Sequence, residues 1–143
     1  MADTLSVTLT NQLIEIERLS GIVEEFAKRH ELPLKAVFEI NLSLDELLTN
    51  IISYAYEDTL LHPILVTLAV GNGSVTILLE DDGHPYNPFT APAPDLTLPL
   101  QDRAIGGLGV HFVRNLMDAF EYRRERDRNI VALKKILEPT DTK

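Results

Sequence analysis

The amino-acid sequence predicts an α+β fold, a two-layer sandwich in which helices cover one face of a mixed, mainly antiparallel sheet. The prediction rests on the order of hydrophobic periodicities along the chain. A strand and two helices come first, two hairpins follow, and a proline-rich loop and one more helix separate the hairpins. Hairpins with helices between them suggest a helical layer on one sheet face. Residues 1–143 are expected to form a single domain with one core.

The first part of the chain reads as one strand followed by two helices. Residues 5–9 alternate between apolar and polar types, and residues 11–30 place apolar side chains at helical spacing. Leu32 and Pro33 interrupt that spacing, and Pro33 is suited to open the next helix. This second helix is predicted from residue 34 to about 56. Its apolar face consists of Val37, Ile40, Leu44, Leu47, Leu48, Ile51 and Ala55.

A β-hairpin and a long loop are predicted in the middle of the chain. Residues 64–70 and 75–79 alternate like strands, and the turn sequence 71–74 joins them. Residues 85–100 contain five prolines and show no periodicity. A loop of this length in a small domain is usually a functional lid or is disordered.

The last part of the chain is predicted to hold a helix and a second hairpin. The glycine-rich run 105–109 precedes apolar residues at helical spacing. Strands are predicted at 120–124 and 130–136, around a turn at 127–129.

The composition limits the classes of function. A net charge of −9 argues against a general nucleic-acid binder, because neutralising phosphates requires a basic surface. The absence of cysteine excludes disulfides, thiolate metal sites and a cysteine nucleophile. No apolar run approaches the length of a membrane span, and no secretory signal is recognisable. We therefore expect a cytoplasmic protein without a membrane partner.

Glu46 and Asn50 are the first candidate functional residues. They lie off the apolar face of the second helix and one turn apart, so a carboxylate and an amide project from the same helical edge. A carboxylate can orient or deprotonate an attacking hydroxyl, and an amide oxygen is a hard ligand that suits Mg²⁺. The same spacing also occurs on ordinary solvated helix faces, so the pair alone leaves both interpretations open.

Two glycine-containing segments follow. Asp81 and Gly83 form either a simple Asp-Gly turn or a carboxylate that accepts a hydrogen bond from the amine of a base, with a glycine beneath the ring. Residues 106–109 form either a hinge or a loop whose backbone approaches phosphates at a helix N-terminus. Neither segment is a P-loop or a Rossmann fingerprint.

Taken in order, these segments resemble the GHKL (Bergerat) ATP-binding superfamily and, within it, the stand-alone bacterial anti-sigma-factor serine/threonine kinases. The matching segments are Glu46-Leu-Leu-Thr-Asn50, Asp81-Asp-Gly83-His-Pro85 and Gly106-Gly-Leu-Gly109-Val-His-Phe-Val. The resemblance covers roughly residues 5–137. It implies that the predicted two-layer sandwich is the Bergerat fold.

The resemblance implies a role for each matching residue. Glu46 would be the catalytic base that orients the attacking hydroxyl, and Asn50 would hold Mg²⁺ against the triphosphate of ATP. Asp81 would bind the adenine amino group, and Gly83 would pack beneath the base.

The resemblance also implies a phosphate loop and a lid. Gly107, Leu108 and Gly109 would form the loop, with backbone amides on the phosphates. The lid would span about residues 85–106, and Arg103, its only basic residue, is a candidate phosphate contact.

Two positions depart from the family pattern. Pro85 occupies the place of a glycine that often ends the first glycine box. By alignment, Ala132 occupies the place of a threonine that helps to bind adenine through water. These departures motivate two alternatives to a kinase, namely a non-catalytic ATP-binding module that acts by protein–protein contact and a structural protein with a degenerate site.

The implied function is that of an anti-sigma-factor-type serine/threonine protein kinase. Such a protein would bind Mg-ATP and phosphorylate an anti-sigma-factor antagonist protein while sequestering a sigma factor. Homodimerisation is a further implication of the resemblance. A histidine kinase is disfavoured, because His30 lies at a helix end only 20 positions before Asn50 and no second hairpin helix is predicted.

Overall fold

The computed structural model describes residues 3–90 and 113–137, which contain five strands and two long helices. In chain order the elements are β1 (Asp3–Thr10), α1 (Ile14–Arg29), α2 (Leu34–Tyr54), β2 (Pro63–Gly71), β3 (Ser74–Asp81), a short 3₁₀ turn (Pro88–Thr90), β4 (Ala119–Glu125) and β5 (Arg128–Ile136). The strands form one sheet in the order β1-β2-β3-β5-β4, and its neighbouring strands all pair antiparallel. The predicted α+β class is confirmed.

One face of the sheet is apolar, and the helices pack on it. In β2, Ile64, Val66 and Leu68 are buried, whereas the residues between them are partly exposed. Strands β3 and β5 repeat the alternation in register, because side chains two residues apart share a face. The helices complete this core with Leu19, Val23 and Phe26 of α1 and Ile40, Leu44, Leu47 and Leu48 of α2.

The second helix is buried on more than its apolar stripe. Glu39, Ser43 and Asn50 are at most 9% exposed, and their spacing places them along one side of α2. The Glu39 carboxylate forms an ion pair of 2.6 Å with Lys135 Nζ in β5, and Lys135 also donates to the Leu116 carbonyl at 2.8 Å. These three polar side chains are buried because β5 and the chain around Leu116 lie on that side of α2.

Both hairpins close with two-residue turns in which φ is positive. Asn72 and Gly73 join β2 to β3 with φ of 54° and 78°, and Arg126 and Asp127 join β4 to β5 with φ of 50° and 62°. Left-handed backbone at both turn positions matches the twist of antiparallel strands. The predicted turn at 127–129 is therefore wrong in position, and Asn129 is a strand residue.

From residue 113 the described chain agrees with the predicted helix and hairpin. Residues 113–116 are helical, and Val113 and Met117 are buried in the core, in agreement with the helix predicted beyond the glycine-rich run. In the described part of the chain, neither long helix has enough apolar length to cross a bilayer.

Candidate functional site

The candidate site is built around the carboxylate of Asp81, the last residue of β3. Strand pairing places Asp81 between Ile64 of β2 and Asn129 of β5, on the helix-covered face, and the residue is 2% exposed. Its Oδ1 accepts hydrogen bonds from the Gly83 N–H at 2.9 Å and from Asn129 Nδ2 at 3.0 Å. Burial raises the pKa of Asp81, and these two hydrogen bonds oppose the rise.

Asn129 connects the polar groups at this end of the sheet. Its Nδ2 donates to Asp81 and also lies 2.9 Å from the His84 carbonyl and 3.4 Å from the Gly83 carbonyl. Its Oδ1 accepts a hydrogen bond of 2.5 Å from the Tyr122 hydroxyl. Because acceptors surround one end of the amide and a hydroxyl donor meets the other, the NH₂ group faces Asp81.

The sequence analysis missed Asn129 and placed Ala132 at the position of a threonine that helps to bind adenine. In the structure Ala132 pairs with Leu78, three residues from Asp81, and therefore lies on the opposite sheet face. The assignment of Ala132 is wrong. The β3–β5 register, which places Asn129 directly opposite Asp81, identifies Asn129 and is not a local property of the sequence.

Close packing against the end of α2 explains the glycine at position 83. A Cβ on Gly83 would lie 2.5 Å from both the Cβ and the carbonyl oxygen of Ala55. The next residue, His84, donates its N–H to the Ala55 carbonyl at 2.9 Å and its Nε2–H to the Tyr54 carbonyl at 2.5 Å. The segment that follows β3 is thus fastened to the C-terminal end of α2.

Glu46 and Asn50 lie one turn apart on α2, as predicted. Asn50 is 4% exposed, and its Nδ2 has no hydrogen-bond partner within residues 3–90 and 113–137. An unsatisfied buried polar group costs about 1–3 kcal/mol, which a ligand that pairs with it can offset. Glu46 is half-buried, and burial together with the adjacent Asp45 carboxylate raises the pKa of Glu46. A raised pKa makes Glu46 a stronger base than a surface carboxylate.

Asn50 and Asp81 line the same small pocket. The other lining residues are Leu47, Ile51, Ala55, Tyr86, Pro88, Asn129 and Val131. A slot with apolar walls and a carboxylate acceptor suits a planar base that carries an amino group. The volume is about 20 Å³, room for roughly one water molecule. A base can therefore enter only if part of the wall moves. The wall includes Tyr86 and Pro88, which belong to the segment that follows β3.

The structure unites only some of the predicted site residues. Asn50, Asp81 and Gly83 come together, with Glu46 one turn away. The other predicted residues, Arg103, Gly107, Leu108 and Gly109, lie outside the described residues, as does most of the predicted lid. The phosphate loop remains a prediction.

Asn50 suits Mg²⁺ only as a single protein ligand of an ion that is also bound by phosphate and water. Within the described residues, no group of three or more His, Asp and Glu side chains could hold a metal ion. Mg²⁺ commonly takes one or two protein oxygens and completes its shell with phosphate and water. A single amide oxygen beside a triphosphate fits that pattern.

Comparisons with known proteins agree with the geometry. Residues 9–135 match the family model described as the histidine kinase-like ATPase domain. The chain is 34% identical over 131 residues to the serine/threonine-protein kinase BtrW of Bordetella bronchiseptica, and the match covers 90% of this chain and 88% of that protein. The resemblance drawn from the sequence is confirmed.

A solved structure shows the same fold at much lower identity. The crystal structure of the RsbU and RsbW domains of Rv1364c from Mycobacterium tuberculosis superposes with a TM-score of 0.70 at 14% identity, over 96% of this chain. The chain spans 33% of that longer protein.

Replacing Gly83 by alanine should destabilise the protein. The added Cβ meets the backbone of Ala55, which cannot move without shifting the end of α2, and overpacking of this kind costs about 1–3 kcal/mol. The measurement is the free energy of unfolding in urea. Gly21→Ala in α1 is the matched control, since nothing lies within 4 Å of its added Cβ. A helical Gly→Ala change stabilises by about 0.5–1 kcal/mol. Equal behaviour of the two variants would contradict the close contact.

Proposed function

This chain belongs to the histidine kinase-like ATPase domain family, and from that premise we propose that it is a Mg²⁺- and ATP-dependent serine/threonine protein kinase of the anti-sigma-factor type. It phosphorylates an anti-sigma-factor antagonist protein and sequesters a sigma factor. Residues 1–143 form one domain in this proposal, with a lid at about 85–106. The observation that carries it is the buried Asp81 carboxylate, oriented by Asn129 and set across a pocket from Asn50.

Asp81 is the group that recognises adenine. Both protein donors to this carboxylate, from Gly83 and Asn129, fall on Oδ1, and within the described part of the chain Oδ2 receives none. A carboxylate oxygen accepts hydrogen bonds and cannot donate, so Oδ2 selects a base with an amino group at that edge. The direction of a side chain on Gly83 is filled by Ala55, so Gly83 serves this site through its backbone N–H to Asp81.

Asn50 is the residue that holds the metal. Asn50 lines the same pocket as Asp81, its amide oxygen is the ligand for the metal, and its Nδ2, buried without a partner in the described chain, can donate to a phosphate oxygen. When bound, Mg²⁺ neutralises charge on the phosphate oxygens and positions them. The amides of Gly107, Leu108 and Gly109, with Arg103, surround the phosphates in this proposal.

Glu46 is the base for phosphoryl transfer. The hydroxyl oxygen of a serine or threonine forms a bond to the γ-phosphorus, and the bond from that phosphorus to the bridging oxygen breaks to release ADP. Glu46 orients the hydroxyl and accepts its proton. Its raised pKa suits this task, because a base works best when its pKa approaches the working pH.

The relative named a serine/threonine-protein kinase supports this reaction class, since the match extends over nearly the whole of both chains. A non-catalytic ATP-binding module that regulates a partner by contact is the second candidate. Pro85, in place of a glycine of the first glycine box, motivates that candidate, whereas the narrow pocket limits ATP binding in both candidates alike. The argument from Ala132 no longer supports it, since Ala132 lies on the other sheet face.

Calorimetric titration with ATP tests the site itself. We expect binding that strengthens with Mg²⁺ in the natural protein and loses that Mg²⁺ dependence in Asn50→Ala. The matched control is Asn41→Ala, on the same helix but beside a groove at the α1 side. Equal Mg²⁺ dependence in both variants would remove Asn50 from this role, and no ATP binding by the natural protein would overturn the proposal.

Glu46→Gln should abolish transfer while ATP still binds. The amide keeps the size of the side chain but cannot accept the proton, and loss of a general base costs roughly 10²–10⁴-fold in rate. The measurement is transfer of labelled γ-phosphoryl to the antagonist protein. Glu24→Gln, at an exposed position in α1, is the control. Full activity of Glu46→Gln would show that another group is the base.

Affinity for ATP should weaken on acidification, beginning above the ordinary aspartate range near pH 4. Burial raises the pKa of Asp81, so this carboxylate takes up a proton at a higher pH than a solvated aspartate does. The neutral carboxyl group is a weaker hydrogen-bond acceptor for the adenine amine than the carboxylate is. Because the raised pKa means that the folded state binds the proton more tightly, acid does not unfold the protein through Asp81. Titrations between pH 4 and pH 8, with circular dichroism as a folding check, measure the effect. Asp81→Asn should bind weakly and lack this dependence.

A further inference from the structure

The loop between α2 and β2, residues 55–62, holds a histidine between two carboxylates. His62 Nε2 lies 2.8 Å from Asp58 Oδ1, and His62 Nδ1 lies 3.2 Å from Asp82 Oδ1. Asp58 belongs to the same loop, whereas Asp82 directly follows β3 and is the neighbour of Asp81. The imidazole therefore joins the loop to the strand end that carries the candidate adenine-binding residue.

The geometry requires a particular protonation state of His62. Each ring nitrogen faces an ionised carboxylate, which accepts hydrogen bonds and cannot donate them. Only the imidazolium carries N–H groups at both nitrogens, so both contacts are favourable only in the charged form. In agreement with this, the Asp58 and Asp82 carboxylates raise the pKa of His62, and the hydrogen bond from His62 helps to lower the pKa of Asp58.

The remaining groups against His62 hold the ring in place. Its imidazole stacks on Tyr56 with ring centroids 4.3 Å apart and an interplanar angle of 14°. Its backbone N–H donates to Asn11 Oδ1 at 2.8 Å. Among the described residues, the charged or titratable groups that face the ring are Asp58 and Tyr56 of the loop and Asp82 of the strand end.

The same loop begins at the contact that sets the position of Gly83. Ala55 touches Gly83 and accepts the His84 N–H, so the loop is attached to the strand end at both of its ends. The hydroxyl of Tyr56 is buried, and the Asp81 charge contributes to raising the pKa of Tyr56. A displacement of the loop therefore reaches the surroundings of Asp81.

We propose that His62, as an imidazolium bridging Asp58 and Asp82, is a positioning residue that holds the 55–62 loop against the end of β3 and so sets Asp81 and Gly83 for nucleotide binding. The proposal rests on the proposed function for its effect on ATP. Deprotonation leaves one ring nitrogen with a lone pair facing a carboxylate, which weakens the bridge. The bridge is complete below the pKa of His62 in the folded protein and is lost as pH rises through it.

The experiment measures two quantities across pH 5 to pH 9 on the full chain. The first is the hydrogen-exchange protection of the His84 and Gly83 amides, which needs no nucleotide, together with the His62 pKa from its side-chain resonances. The second is the dissociation constant for ATP. The variant is His62→Gln, and the matched control is His30→Gln. His30 Nε2, at the end of α1, also meets a carboxylate at 3.0 Å, that of Asp3, which lies at the end of β1 away from the site.

The expected result is a step at the pKa of His62. As pH rises through the pKa of His62, protection of the His84 amide should fall and the dissociation constant for ATP should rise, both in the natural protein and in His30→Gln. Each change should be about two- to fivefold, the range of a partly exposed ion pair. His62→Gln should show the weaker values at every pH without a step. Comparison of the variants also separates His62 from His84, whose own ring bonds to Tyr54.

Each contrary outcome has a distinct meaning. A step that persists in His62→Gln, or protection that stays flat in the natural protein, overturns the bridge. A step in protection without a change in the dissociation constant overturns the positioning role. Absence of ATP binding at every pH overturns the proposed function and with it the positioning role, while the exchange data still decide whether the bridge forms.

Discussion

A carboxylate that is 2% exposed must be hydrogen-bonded inside the protein, and much of the arrangement at this end of the molecule meets that need of Asp81. Asn129 reaches it from the neighbouring strand, and the Gly83 N–H reaches it from the turn that follows β3. The Asn129 donor depends on the β3–β5 register, which pairs Asn129 directly with Asp81, whereas the Gly83 donor is local to the end of β3. Within the described residues both donors meet Oδ1, so the carboxylate is held from one side by groups of β5 and of the turn after β3.

The second helix depends on the same region. Its C-terminal end is fixed by the contact between Gly83 and Ala55 and by the hydrogen bonds from His84. Because a helix is rigid over a few turns, fixing its end also fixes the position of Asn50 relative to Asp81. Asn50 and Asp81 are therefore held relative to each other by these contacts at the end of α2.

The buried polar side of α2 has two different parts. Near its start, the Glu39 carboxylate has an ion-pair partner in Lys135, and the pair joins the helix to β5. Further along the same side of α2, Asn50 has an amide nitrogen without a partner in the described chain. The first part contributes to the fold, whereas the second leaves a buried group unsatisfied. Proteins commonly retain such groups where a ligand is to be bound.

The sequence by itself determined the elements, their order and the antiparallel class, because hydrophobic period and turn residues are local properties. It also singled out Glu46, Asn50, Asp81 and Gly83. Only the tertiary structure decided that Asn129, and not Ala132, lies beside Asp81, since the β3–β5 register pairs strands that are far apart in the sequence and no local pattern fixes it. The bridge through His62 was likewise absent from any pattern. It depends on packing between segments 20 positions apart, and pKa values and hydrogen-bond partners follow from that packing rather than from sequence spacing.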